Sequence, residues 1–73
     1  MNIYYTDNTL YVHMNQEITN DSISSLRKKV FGILNDYDIN NIVLNVITDK
    51  NNILLDEFIK EYHHKYNGNI TLK

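Results

Sequence analysis

Apolar and polar positions alternate at the start of the chain and then change period twice. Leu10, Val12 and Met14 alternate with Tyr11 and His13, the period of a strand with one covered face. A first extended piece, "NIYY", precedes them, and "TDN" joins the two. Asp7 and Asn8 both tolerate the backbone angles of a tight turn, so this region is predicted to be a hairpin. The period then becomes helical. Ile23, Leu26, Val30, Ile33 and Leu34 form one stripe, with Arg27, Lys28 and Lys29 beside or opposite it. Thr19, Asn20, Asp21 and Ser22 cluster just ahead, so the helix is predicted to start among them.

"NIVLNVI" is short, β-branched and nearly continuous, as in a covered central strand. From about Asn52 the spacing is helical again, with Leu55, Phe58, Ile59, Tyr62 and Tyr66 on one side. Asn67-Gly68 supplies a helix stop, and "NITLK" gives a last short strand. The order is β-β-α-β-α-β. Helical crossovers should make the last three strands parallel. The expected fold is therefore α/β, a mixed four-stranded sheet with two helices on one face. Its other face would carry Tyr11, His13, Val43, Asn45 and Ile47 in the open, a contact surface on so small a domain.

Composition narrows the function classes. A chain of 73 residues is read as a single domain over 1–73, and 42% apolar or aromatic residues suffice for a small core. No cysteine is present, which removes disulfides, thiolate metal sites and a cysteine nucleophile. The chain opens without a basic, apolar leader, and its apolar runs are short for a bilayer, so the expectation is cytoplasmic with no membrane contact. A net charge of −2 argues against nucleic acid.

The run "LYVHMNQEITNDSISSLRKKVFGILNDYDINNIVLNV" resembles the first half of a STAS domain, the fold of bacterial anti-sigma-factor antagonists. The family's Gly-Glu-Leu-Asp-like corner corresponds to "NQEI" and Thr19. Its Leu-basic helix corresponds to "SLRKKV", and its next strand to "IVLNV". "FIKEYHHKYNGNITL" is similar to the second helix, glycine stop and following strand. Two departures stand out. The loop after the central strand, Asp-Ser-Ser-Gly-like in the family, reads "TDKNN" here and holds no serine, cysteine, histidine or glycine. The family also continues beyond the point that corresponds to Lys73.

The resemblance implies a truncated STAS-like, non-catalytic interaction module that competes for a protein partner, an anti-sigma factor or another regulatory protein. The switch by phosphoserine, which adds about −1.5 to −2 charges, is absent from this loop. The implied partner-binding residues are Thr48, Asp49, Lys50, Asn51, Asn52 and Asp56, with the first turn from Ile53 to Glu57. The alternative is a self-associating structural subunit, a homodimer among the options, using the open sheet face or the edge at 69–73.

Other chemistry is thinner. His63 and His64 are adjacent and diverge by about 100°, whereas metal ligands on a helix share a face at i, i+3 or i+4; no metal is expected. Asp56 and Glu57 lie where acidic side chains complement a helix dipole. Asp36 and Asp38 sit at a helix end. None of these implies a catalytic pair, and no cofactor is expected. "TDKNN" also suits a plain capped turn in which Asp49 or Asn51 holds the start of the helix.

Overall fold

The protein is described by a computed structural model covering residues 1–47 and 52–73. Its elements are β1 (Asn2–Thr6), β2 (Thr9–Glu17), α1 (Asn20–Asp36), β3 (Asn41–Ile47), α2 (Ile53–Lys65) and β4 (Asn69–Leu72). The sheet order is β1-β2-β3-β4. β1 is antiparallel to β2, while β2, β3 and β4 run parallel. This is the α/β fold and element order that the sequence pattern predicts.

Local chemistry sets most of the boundaries. Asp7 and Asn8 both have positive φ, at 50° and 59°, so two residues turn β1 into β2. Thr19 caps α1: its hydroxyl accepts from the Ser22 backbone N–H at 3.1 Å, and Ser22 Oγ accepts from the Thr19 backbone N–H at 2.7 Å. That reciprocal pair is a capping box closed by serine instead of the more usual Glu or Gln. Ser22 Oγ also donates to the Glu17 carbonyl at 2.8 Å, tying the strand end to the helix start.

Two boundaries differ from expectation. β2 runs on to Glu17, with a register shift between His13 and Glu17, so the "NQE" corner belongs to an irregular strand. α2 ends at Lys65 and is followed by Tyr66 in an extended conformation, and Gly68 does not adopt a positive φ. The helix therefore stops before the glycine, without the left-handed cap expected there.

One core joins the sheet and both helices. Leu10, Val12, Met14, Ile42 and Leu44 point to one side of the sheet and pack with Ile23, Leu26, Val30 and Leu34 of α1. Leu55, Phe58 and Tyr62 of α2 complete the cluster. Both helices therefore cover the same face. Tyr62 is fully buried at the centre of the core, while Tyr66 and Ile33 are half-buried around it. On the opposite face His13, Asn45 and Ile47 are exposed, and Tyr11 and Val43 are half-exposed beside them.

Candidate functional site

Of the residues picked out by the sequence, Asn52 and Asp56 stand at the start of α2, which follows β3 in the chain. Ile47 closes β3 with 55% of its surface exposed, and Ile53 opens α2 at 71%. Asn52 is the N-cap of α2. Its Oδ1 accepts from the Leu55 backbone N–H at 3.0 Å, and its carbonyl accepts from the Asp56 N–H at 3.1 Å. Asn52 thus holds the start of the helix, the role the sequence reading gave to Asp49 or Asn51. Asp56 projects from the first turn into solvent, next to an exposed Glu57. Thr48, Asp49, Lys50 and Asn51 lie outside the described residues.

A polar groove of about 360 Å³ runs between the N-terminal halves of the helices, lined by Ser24, Arg27, Leu54, Glu57 and Glu61 among others. Arg27 bridges it. Its Nε donates to Glu61 Oε1 at 2.7 Å and its Nη2 to Oε2 at 2.8 Å, a bidentate pair between α1 and α2. Lys65 Nζ joins Glu61 Oε2 at 3.1 Å, one helical turn on. The hydrogen bond from Arg27 is the main reason that the Glu61 carboxyl is lowered to about 2. Such a group is ionised at neutral pH and already saturated with donors, which suits neither a general acid nor a base. The groove is a structural clamp, with Glu57 exposed on its rim.

The remaining candidates fall to structural roles or to solvent. Arg27 of the basic run is committed to Glu61, whereas Lys28 and Lys29 are exposed. Lys65 also lies 5.3 Å from the centre of the Phe31 ring. His63 and His64 are exposed, with His63 edge-on to Tyr62 at 5.3 Å. Among the described residues no three His, Cys, Asp or Glu side chains come together as metal ligands. No helix of the described residues is long and apolar enough to cross a membrane.

The Arg27–Glu61 pair was invisible in the sequence. Its partners are 34 positions apart and meet only because both helices pack on one face. A second feature, an apolar cleft beside β1, also went unread, because its lining comes from β1, β2 and the end of α1. Compared with protein-family models, curated proteins and solved structures, the chain matches none.

Proposed function

We propose that this protein is a small, non-catalytic, STAS-like interaction module of the bacterial cytoplasm. It acts by occupying the surface of a regulatory protein of the anti-sigma-factor type, with no phosphoserine switch at the loop after β3. The contact surface consists of Thr48, Asp49, Lys50, Asn51, Asn52 and Asp56 with the exposed Ile53. The observation that supports this reading most is the pairing of Ile53, 71% exposed at the first position of α2, with exposed acidic side chains one turn on. An uncovered aliphatic side chain beside exposed charge has the composition of an interface centre with part of its rim. The resemblance of the order and of "SLRKKV" and "IVLNV" to STAS domains supplies the partner class.

The test is affinity capture from the source cells, comparing the native chain with Ile53→Asp and Asp56→Lys variants whose folding is checked by circular dichroism. Recovery of a kinase-like anti-sigma factor by the native chain, and its loss with Ile53→Asp, is the expected result. Equal recovery by all three chains, or recovery of no such protein, removes the reading. Self-association as a structural subunit is the second reading. It draws on Tyr4 and Ile47, which are 60% and 55% exposed on the open sheet face, and on Leu72 of β4. Its mark is a chain that by itself forms an assembly beyond a weak dimer.

A further inference from the structure

β1 is an edge strand that lacks the usual protections of an edge. Its residues, Asn2-Ile3-Tyr4-Tyr5-Thr6, include no charge and no proline, and its pairing with β2 is regular along the whole length. Natural edges are normally blunted by lysine, proline or a bulge, because their free N–H and C=O groups recruit another strand. Thr6 and Thr9 flank the two-residue turn and form the first hydrogen-bonded pair of the hairpin. Alternation along the ladder then turns the backbone groups of Asn2, Tyr4 and Thr6 toward β2, and those of Ile3 and Tyr5 outward.

A second feature lies on the same edge. The inner side of β1 opens into an apolar cleft of about 380 Å³, lined by Ile3, Tyr4, Tyr5, Leu10, Ile33 and Tyr37. The Tyr5 and Tyr37 rings stand 6.1 Å apart at its wall, and Tyr5 Oη is anchored on Asn8 Oδ1 at 3.1 Å. On the outer face Tyr4 stacks on Tyr11, with ring centroids 4.9 Å apart. Backbone groups unpaired among the described residues, partly exposed apolar side chains and absence of charge coincide on one strand.

We propose that β1 pairs antiparallel with β1 of a second copy, about a twofold axis through Tyr4, to give a continuous eight-stranded sheet. What identifies the occupant is self-complementarity. Centring on Tyr4 sets Ile3 opposite Tyr5 of the second copy and Asn2 opposite Thr6, so apolar meets apolar and polar meets polar. The outward backbone groups of Ile3 and Tyr5 then face each other, and the two symmetry-related pairs make about four hydrogen bonds. Tyr4 meets its own copy at the non-hydrogen-bonded position, where side chains come closest, and extends the Tyr4–Tyr11 stack across the axis. The isologous contact closes on itself, giving a dimer instead of a filament. With five residues per strand it is a small interface, so association is weak and concentration-dependent. It uses no residue of the contact surface at α2, so either idea can fail without the other.

The experiment is sedimentation equilibrium of the full chain from micromolar to millimolar concentration, with Tyr4→Lys and Tyr4→Glu alone and mixed one to one. The average mass of the native chain should climb from one chain toward two. Each variant alone should stay monomeric through like charges facing across the axis, and the mixture should recover the dimer. A native chain that stays monomeric at millimolar concentration overturns the proposal. So does a dimer indifferent to Tyr4→Lys, a mixture that fails to recover it, or a dimer broken by Thr71→Lys on β4 instead. If circular dichroism shows either Tyr4 variant unfolded, Tyr4→Cys in this cysteine-free chain reads the same contact. Mild oxidation should link two chains through it, and failure to do so overturns the proposal equally.

Discussion

Gly68 follows α2 at a point where the chain runs against the Tyr62 hydroxyl. A Cβ there would collide with Tyr62 Oη and come within 2.7 Å of the Asn40 carbonyl oxygen. Close approach, and not backbone angle, is what requires glycine. Gly68→Ala is expected to destabilise the fold by about 2 kcal/mol, in the range of overpacking. Tyr62→Phe should recover part of that loss, because it removes the nearer obstacle and leaves the Asn40 carbonyl. The Tyr62 hydroxyl has no hydrogen-bond partner among the described residues, and burial raises its pKa. Deleting a buried, unpaired hydroxyl relieves a desolvation cost, so Tyr62→Phe alone should be neutral or stabilising by about 1 kcal/mol in urea unfolding. Gly32 is the opposite case. Nothing lies within 4 Å of a Cβ built there, and the residue is exposed within α1. Gly32→Ala should stabilise by about 1 kcal/mol through backbone entropy, seen as a higher melting temperature.

The elements are tied together chiefly by what lies between them. α1 and α2 share the Arg27–Glu61 pair and the stack of Phe31 on Phe58 at 5.4 Å, and Tyr66, just past α2, donates its hydroxyl to Asn35 Oδ1 at 2.9 Å. Half of the Arg27 side chain is exposed, so screening by solvent limits the ion pair to at most about 1 kcal/mol. Its pH dependence has a defined sign. The Glu61 carboxyl is lowered from 4.5 to about 2 on folding. The contribution is therefore complete above pH 4.5 and fades as the pH falls toward about 2. Urea unfolding across this window should show Glu61→Gln losing stability relative to the native chain at the upper end and converging with it at the lower. A Glu61 carboxyl that titrates near 4.5 by NMR would remove the argument.

At the scale of the molecule, one face of the sheet carries the stability and the other leaves room for contact. Leu44 and Asn45 are neighbours on β3, one fully buried under the helices and the other exposed on the open face. Leu44→Ala should cost about 2–5 kcal/mol and Asn45→Ala within about 0.5 kcal/mol, as read by chemical denaturation. Comparable losses at both positions would mean that the open face is covered in solution. The two helices protect β2 and β3 from above, and the inner side of β1 is where their cover gives out, at Ile3 and Tyr5. The α2 start and the β1 edge are thus separate exposed surfaces on one scaffold, the first proposed above for a different protein and the second for a copy of the chain.

Much of this architecture could be read along the chain because its causes are local. The alternation of Leu10, Val12 and Met14, the Asp7-Asn8 turn, the Thr19 cluster and the spacing from Ile23 to Leu34 each act within a few residues. Strand direction followed from the two helical crossovers, and the exposure of His13, Asn45 and Ile47 followed from the pleat. The candidate contact surface was legible only in part: Asp56 and Asn52 stand at the start of α2 as expected, with Asn52 as the cap. What tertiary structure decided is every relation between distant positions. The Glu61 partner of Arg27, the collision that demands glycine at position 68, the burial of Tyr62 and the cleft beside β1 all depend on which faces meet. Periodicity states which side of an element is apolar, but the side chains that arrive opposite it are set only when the helices settle on the sheet.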